Sequence, residues 1–179
     1  KIGVIGDFDF DIEEVAVYKN FSMSKCKLAT ASFGHGIATT LLKLAKGYSI
    51  ISNGGYNINP KLILSESKEK KVQKKLILNK NVSEKIVKIL RKIVTDKEGT
   101  AGLANSNGYE IAGKTGTAEQ VIDGQYSNIK INTFASVFPS SKPKFVFIVM
   151  LDSPRGSDTY VYNYRNKKGS FTGTPFNTA

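Results

Sequence analysis

Residues 113–119 read Gly-Lys-Thr-Gly-Thr-Ala-Glu and bring together a cation, two hydroxyls and two residues without side chains. They follow the alternating run 109–112, and on a strand Thr115 and Thr117 would lie on one face and Lys114 on the other. Lys114 would supply a point charge and the threonines short donors for a carboxylate, while the glycines would let another backbone approach. The pattern therefore favours recognition of an extended anionic ligand. A plain strand with a solvated lysine is the alternative that these residues leave open.

The same stretch also matches the pattern of a phosphate loop. Residues 108–115 fit G-x-x-x-x-G-K-[ST], and the apolar run 145–151 ends at Asp152, an acid that could hold a metal ion. A phosphate loop must follow a buried strand and open a helix, because the amides at the helix start hold the phosphates. Residues 102–107 make a poor core strand, and a turn signal at 123–124 leaves no room for a helix. We therefore favour the strand over the nucleotide-binding loop.

The composition sets bounds on the class of protein. The chain has 179 residues, enough for one domain or a large part of one. Its 26 lysines and arginines against 15 aspartates and glutamates give a formal net charge of +11, which favours anionic surroundings without naming a partner. The single cysteine, Cys26, excludes an internal disulfide and a cysteine metal cluster, and we expect no cofactor and no metal. The single histidine, His35, lies between glycines, where we predict local hydrogen bonding.

The ends of the chain suggest a piece of a longer protein. No stretch approaches the ~20 apolar residues of a membrane span, and no basic-then-apolar leader opens the sequence. The first residue is Lys1 rather than Met, so we expect an excerpt.

Two helices are predicted from apolar spacing and capping signals. The first is capped by Thr39 or Thr40 and stops at the Asn-Gly-Gly of 53–55. The second is capped by Asn81, with Glu84 completing a capping box, and ends at Gly99. The stripe at helical spacing in the first is Leu41, Leu44, Ala45, Tyr48 and Ile51 or Ser52. The predicted buried stripe of the second is Val82, Ile86, Ile89, Leu90 and Ile93.

Three strands in succession predict an α+β fold. They cover residues 109–119, 132–138 and 145–151, with turns at 123–124 and 139–143 between them. Short turns favour an antiparallel sheet, and the two helices are expected to pack against it. The third strand is a continuous apolar run, so we predict that both of its faces are covered.

Five blocks of the sequence, in this order, together resemble the transpeptidase domain of class B penicillin-binding proteins. The blocks are Ser32-Phe33-Gly34-His35-Gly36 with the capped helix and Asn53-Gly54-Gly55, then Glu98-Gly99-Thr100-Ala101, then Lys114-Thr115-Gly116-Thr117-Ala118-Glu119, then Phe138-Pro139, then Met150-Leu151-Asp152. The cell-division type that makes septal peptidoglycan is the most similar, and the elongation type is similar too. The resemblance is clearest over 25–155. It implies a serine β-lactamase-like fold, with residues 1–179 as the C-terminal portion of the domain.

The resemblance implies serine D,D-transpeptidation. In that reaction a serine attacks the D-Ala-D-Ala stem peptide, and an amine from a neighbouring strand resolves the acyl-enzyme. Lys114 would be a supporting catalytic residue that assists proton movement, and Lys114, Thr115, Gly116 and Thr117 would bind the substrate. The two threonines would bind the terminal carboxylate of the stem peptide or of a β-lactam. The backbone amide of Thr117 would form half of an oxyanion hole.

The chain departs from the family because it has no placed nucleophile. Ser-x-Asn is absent, and Ser-x-x-Lys occurs without the order or the helix start that the family requires, at Ser22, Ser24, Ser65, Ser67, Ser127 and Ser141. We therefore expect no catalytic serine here and no acylation of this chain alone. The family's membrane anchor, pedestal domain and closing helix are expected outside it.

The resemblance also implies a cellular location and a set of binding partners. It puts the full-length protein at the periplasmic face of the bacterial inner membrane, with stem peptides, β-lactams, division proteins and the rest of the domain as partners. The alternative is a non-catalytic basic module that binds cell-wall polymer or, less favoured, nucleic acid. The net charge of +11 and the interleaved aromatic and basic residues of 160–168 motivate that alternative.

Overall fold

The computed structural model describes residues 25–32, 34, 37, 39–61, 75–123, 125–154, 161–164 and 167–170. Within them the chain forms three α-helices, a short 3₁₀ turn and five strands. These are α1 (Lys25–Ala31), α2 (Leu41–Ser52), α3 (Lys80–Thr95), the 3₁₀ turn Gly102–Ala104, β1 (Ala112–Ile122), β2 (Gln125–Phe138), β3 (Phe145–Asp152), β4 (Val161–Tyr164) and β5 (Lys167–Ser170). The predicted α+β class is confirmed. His35 and the other residues of the Ser-Phe-Gly block between 33 and 36, apart from Gly34, lie outside the described residues.

The main sheet has the strand order β1-β2-β3, with both pairs antiparallel. The β1–β2 turn contains Asp123, whose φ is 51°. In the β2–β3 turn, Lys144 N–H donates a hydrogen bond to Phe138 O at 3.1 Å. The predicted sequence of three strands joined by short turns is therefore confirmed. The strands differ in extent, because β1 begins at Ala112 rather than at Tyr109 and β2 begins at Gln125 rather than at Asn132.

Helix α2 begins and ends where the capping signals predict. The Thr40 side chain accepts a hydrogen bond from Lys43 N–H at 3.2 Å, and Asn53 N–H donates to Ser49 O at 3.0 Å. Its buried residues are Lys43, Gly47 and Ile50, whereas Leu41, the first residue of the stripe, is 40% exposed. The start of the stripe therefore lies outside the core, whereas Tyr48 and Ile51 do pack against it.

Helix α3 begins two residues earlier than predicted. Its N-cap is Asn79, whose side chain accepts a hydrogen bond from Asn81 N–H at 2.9 Å, so Asn81 belongs to the first turn. The buried residues are Ser83, Val87, Leu90 and Val94, while Val82 is 42% and Ile89 59% exposed. The prediction is confirmed for Leu90, which is buried, and for Ile86 and Ile93, which pack against the core, and it is wrong for Val82 and Ile89. The helix ends at Thr95, before Gly99.

The core lies between the helices and one face of the sheet. Val87 and Leu90 of α3 meet Ala112 of β1 and Val137 of β2, and these four side chains form one buried cluster. Burial of Val or Leu side chains contributes roughly 1.5–3 kcal/mol each. This packing sets α3 along β1 and thereby fixes the strand on which the candidate site lies.

The outer face of β3 departs from prediction. Phe145, Phe147 and Leu151 are 57%, 55% and 37% exposed, although a continuous apolar run predicted cover on both faces. Alternation places these three residues on one face, and the half-buried Val146 on the other, against the core. Within the described ranges, the face toward the helices is partly covered at Val146 and Ile148, while Met150 on the same face is 44% exposed.

The described part of the segment of interleaved aromatic and basic residues belongs to a second, two-stranded sheet. Strand β4 pairs antiparallel with β5, with Val161 opposite Ser170 and Tyr164 opposite Lys167. No helix within the described ranges combines the length and the apolar composition that a bilayer crossing requires.

Candidate functional site

Strand β1 carries the residues singled out from the sequence along one edge of the sheet. Thr115 lies opposite Phe134 and Thr117 opposite Asn132, while Lys114 lies opposite Ala135. Successive residues of a strand point to opposite faces, so both threonines lie on one face and the Cβ of Lys114 lies on the other. This arrangement is the predicted one. Because β1 is paired only with β2 in the described sheet, its other edge remains open for a ligand.

The Lys114 side chain does not stay on its own face but curls back along the edge of the strand. Its Nζ donates to Thr115 O at 2.8 Å and lies 3.4 Å from Thr115 Oγ1. The ammonium group and the first threonine hydroxyl therefore lie next to each other, although their Cβ atoms point to opposite faces. A carboxylate placed at this edge can reach both a cation and a hydroxyl.

Thr100 is a member of the cluster that sequence reasoning did not assign to the site. Its Oγ1 accepts a hydrogen bond from Thr115 Oγ1 at 3.1 Å and lies 3.4 Å from Lys114 Nζ. It was noted only as part of the block 98–101, since nothing in the local sequence shows that this turn approaches β1. The contact arises because α3 packs on β1 and the chain turns back after the helix, where Ala101 N–H donates to Ile93 O at 3.3 Å.

The two glycines that flank Lys114 have different surroundings. A Cβ on Gly113 would lie 2.7 Å from the Phe134 ring and 2.8 Å from Ala135 O, so the neighbouring strand itself requires this glycine. A Cβ on Gly116 would meet only Thr133, at 3.9 Å, which is an ordinary contact. The fold therefore does not require a glycine at position 116, and its small size leaves open space on the face from which Lys114 projects.

Both ends of β1 are tied to neighbouring elements. At the start, Arg91 Nη1 of α3 donates to Ile111 O at 2.7 Å. Near the end, the pairing with β2 is irregular between Glu119 and Val121, where Gln120 lies opposite residues 127–129 of β2. The Gln120 amide reaches over β2 to the Asp152 carboxylate and to Ser153 Oγ, the latter at 3.2 Å. The candidate site thus lies on a strand held at two points.

The Ser-x-x-Lys matches in the described ranges lie away from any helix start. Ser127 lies in β2, and Ser141 lies in the turn between β2 and β3. The expectation that these two open no helix is confirmed, and the other four serines lie outside the described residues. Within the same ranges, no group of three histidine, cysteine, aspartate or glutamate side chains comes together as a metal site.

The phosphate-loop alternative does not fit the observed backbone. The residues after Lys114 and Thr115 continue as a strand to Ile122 and then turn into β2, so no helix opens there. Backbone amides at a helix start are what hold phosphates in such a loop. The pattern match at 108–115 is therefore coincidental.

Comparisons with known proteins agree on one family. A family model described as the penicillin binding protein transpeptidase domain matches residues 3–170. The chain is 31% identical over 172 residues to the "Peptidoglycan D,D-transpeptidase FtsI homolog" of Mesostigma viride, covering 82% of this chain and 28% of that protein. It is 32% identical over 161 residues to "Peptidoglycan D,D-transpeptidase FtsI" of Buchnera aphidicola, covering 89% of this chain and 27% of that protein. The chain thus spans less than a third of the length of these curated relatives.

A solved structure shows the same fold. The crystal structure of penicillin binding protein 3 from Mycobacterium tuberculosis, complexed with ampicillin, matches with a TM-score of 0.69 and 26% sequence identity. The match covers 86% of this chain and 35% of that one.

Proposed function

The chain belongs to the penicillin-binding protein transpeptidase family, and we propose that it supplies the carboxylate-recognition strand of a peptidoglycan D,D-transpeptidase. The observation that supports this most directly is the Lys114 ammonium beside the Thr115 and Thr100 hydroxyls at the open edge of β1. The activity is that of a longer protein, since the relatives extend well beyond the part that this chain matches.

The ligand of β1 is the acidic end of an extended peptide. A peptide with a D-Ala-D-Ala terminus lies alongside the strand edge, as in recognition by strand addition, where main-chain hydrogen bonds give affinity. Lys114 neutralises the terminal carboxylate, and the hydroxyls of Thr115 and Thr117 donate to it, the Thr115 hydroxyl turning from Thr100 Oγ1 to the ligand. Gly116 lets the peptide backbone come close to the strand.

The reaction is acyl transfer through a serine ester. A serine of the remaining domain attacks the carbonyl between the two D-alanines, the terminal D-alanine leaves, and an amine of a neighbouring stem peptide then displaces the serine. Lys114 assists proton movement near that serine, and the backbone amide of Thr117 is one of two donors to the oxyanion. A β-lactam, whose carboxylate resembles that of the peptide, uses the same strand.

The setting is septal cell-wall synthesis on the periplasmic side of a bacterial membrane. The resemblance to the cell-division type and the relatives named FtsI support this setting. Division proteins and the rest of the transpeptidase domain are the partners.

Carboxylate recognition is tested by nuclear magnetic resonance on the nitrogen-15-labelled chain. Titration with an acetylated D-Ala-D-Ala peptide is expected to shift the amide signals of residues 114–117, because these residues line the open edge of β1. The same peptide with a C-terminal amide should shift them far less, since it lacks the charge that Lys114 neutralises. Lys114→Ala should lower the affinity for the carboxylate peptide by about tenfold, because it removes a hydrogen bond between charged groups.

Two results would contradict the proposal. Equal shifts with the acid and the amide peptide would show that no carboxylate is recognised, and shifts confined to other elements would place the site elsewhere. A fluorescent penicillin followed by a denaturing gel should leave this chain unlabelled. A covalent band would instead show that one of the six Ser-x-x-Lys serines is a nucleophile.

A further inference from the structure

A second concave surface, the α3 groove, lies between α3, the end of α2 and the turn from β2 to β3. It has a volume of about 920 Å³ and shares no lining residue with the cluster of Lys114, Thr115 and Thr100. The groove is defined here by Lys80, Lys88, Arg91 and Lys92 of α3 and by Ser141 and Lys142 of the turn.

Hydrogen bonds hold the walls of the α3 groove together. Glu110, which precedes β1, accepts hydrogen bonds from Ser140 N–H to its backbone oxygen at 2.7 Å and from Ser141 N–H to its carboxylate at 3.0 Å. Arg91 of α3 donates to Ile111 O at 2.7 Å. The helix and the turn are therefore connected through residues 110–111, and the groove is formed before any ligand arrives. A preformed surface lowers the entropy cost of binding.

The α3 groove carries an excess of positive charge. Five cations and two carboxylates line it, and both carboxylates are already engaged. Glu84 pairs with Lys80 at 3.9 Å, and the hydrogen bonds from Ser141, with a smaller contribution from Arg91, lower the pKa of Glu110 below its ordinary value. In the described ranges Lys88, Lys92 and Lys142 have no carboxylate partner. These three ammonium groups are available to an incoming anion.

The shape of the α3 groove suits a short stretch of chain. The lining residues of α3 run from Lys80 to Lys92, a rise of about 18 Å at 1.5 Å per residue. An extended peptide of about five residues has that length. Apolar atoms of Val87 and Pro143 and the carboxylate of Glu84 share the lining with the cations. Such a mixed surface suits an acidic peptide with an apolar side chain better than a phosphodiester chain, whose charge is uniform.

We propose that the α3 groove binds an acidic segment of a partner protein, whose carboxylates meet Lys88 and Lys142. The binding is independent of D-Ala-D-Ala recognition at β1, so either proposal can fail while the other holds.

The proposal is tested with a fluorescein-labelled peptide of alternating glutamate and leucine, followed by anisotropy on the full chain. The double variant Lys88→Glu, Lys142→Glu is expected to weaken binding by about tenfold or more, because each reversal replaces an attraction by a repulsion. The double variant Lys85→Glu, Lys97→Glu is the matched control, since it makes the same charge change at two exposed lysines outside the groove, and it should change binding by less than about twofold. The glutamine version of the peptide should not bind.

Three results would overturn the proposal. One is equal weakening by the control Lys85→Glu, Lys97→Glu and by the groove variant, which would mean diffuse charge attraction. Another is equal binding of the glutamine peptide. The third is tight binding of a labelled single-stranded oligonucleotide at the groove residues with none of the acidic peptide, which would assign the surface to a phosphodiester ligand. Circular dichroism of each variant shows that it has folded before binding is compared.

Discussion

At the scale of a single residue, Gly116 is a position where a substitution is expected to affect ligand binding without affecting the fold. A Cβ there would meet only Thr133 at 3.9 Å, whereas a Cβ at position 113 would meet the Phe134 ring at 2.7 Å. The two glycines lie three positions apart on one strand. Gly113 is required by the close contact with β2, whereas Gly116 leaves space beside Lys114. Substituting each in turn therefore distinguishes a binding role from a structural one.

Gly116→Ala is expected to keep the fold and lose the ligand. Alanine in a strand costs less backbone entropy than glycine, so urea unfolding should show the same stability or a gain of about 0.5–1 kcal/mol. The added methyl group occupies the space into which the D-Ala-D-Ala peptide comes, so the peptide-induced shifts at 114–117 should disappear. Gly113→Ala is the comparison, and its clash with Phe134 should cost about 1–3 kcal/mol of stability. Undiminished peptide binding by Gly116→Ala would refute the proposed approach of the ligand.

The residue types of the site could be predicted, but their contacts could not. The alternation of Lys114, Thr115 and Thr117 follows from strand geometry alone and is confirmed. The position of Lys114 Nζ next to Thr115 Oγ1 depends on the side-chain torsions of Lys114, which the spacing of residues in the sequence does not predict. Thr100 comes from a turn 15 residues before Thr115 and joins it only through the packing of α3 on β1.

At the scale of elements, helix α3 shows why a correctly predicted helix can carry a stripe that is only partly right. Its apolar residues occupy two adjacent positions in most turns, so the centre of the buried face is ambiguous by one residue. Contact with Ala112 and Val137 buries Val87 together with the predicted Leu90, while the predicted Ile86 and Ile93 pack beside them and are only partly buried. Ser83 is buried because its hydroxyl donates to Ile51 O of α2, a partner that is 32 residues away in sequence.

The Glu110 carboxylate connects the β2–β3 turn to the start of β1, and its contribution should depend on pH. Its pKa is lowered by the hydrogen bonds from Ser141 and, to a smaller extent, by Arg91, so the stabilisation is present above the ordinary glutamate pKa of 4.5. This stabilisation is lost as the pH falls through the lowered pKa of Glu110 in the folded chain. Glu110→Gln is therefore expected to lower the urea midpoint at pH ~7 and to converge with the parent protein in acid, where both side chains are neutral.

Glu84→Gln provides the comparison for that experiment. Glu84 is exposed and its ion pair with Lys80 spans 3.9 Å, so its loss should change the urea midpoint little at any pH. A pH-independent effect of Glu110→Gln, or an effect of Glu84→Gln of the same size, would show that the carboxylate charge of Glu110 does not stabilise the turn.

At the scale of the whole molecule, the outer face of β3 is the largest departure from sequence expectation. The rule that a continuous apolar strand is covered on both faces assumes that the covering elements are present. In the described part of the chain Phe145 and Phe147 remain more than half exposed on the last strand of the sheet. A row of apolar side chains on an edge strand favours association between copies.

Self-association should therefore rise with protein concentration and fall when β3 is made polar. Phe147→Lys is expected to shift sedimentation profiles toward the monomer, because a lysine on an edge strand opposes pairing. Leu103→Lys is the control, since Leu103 is 62% exposed and lies in the 3₁₀ turn, away from the sheet edge. If both variants changed the profiles equally, general solubility rather than the β3 face would be responsible.

Helix α3 and the turn after it contact the strand of the site at two separate places, through Arg91 at Ile111, just before β1, and through Thr100 at Thr115. The number of residues from Arg91 to the end of the helix at Thr95 is therefore constrained, because each residue inserted or deleted there would rotate everything after it by about 100°. We expect the side chains of this interval to vary on its solvent side while its length stays the same. Alignments of functional relatives should therefore show no gaps between positions 91 and 95.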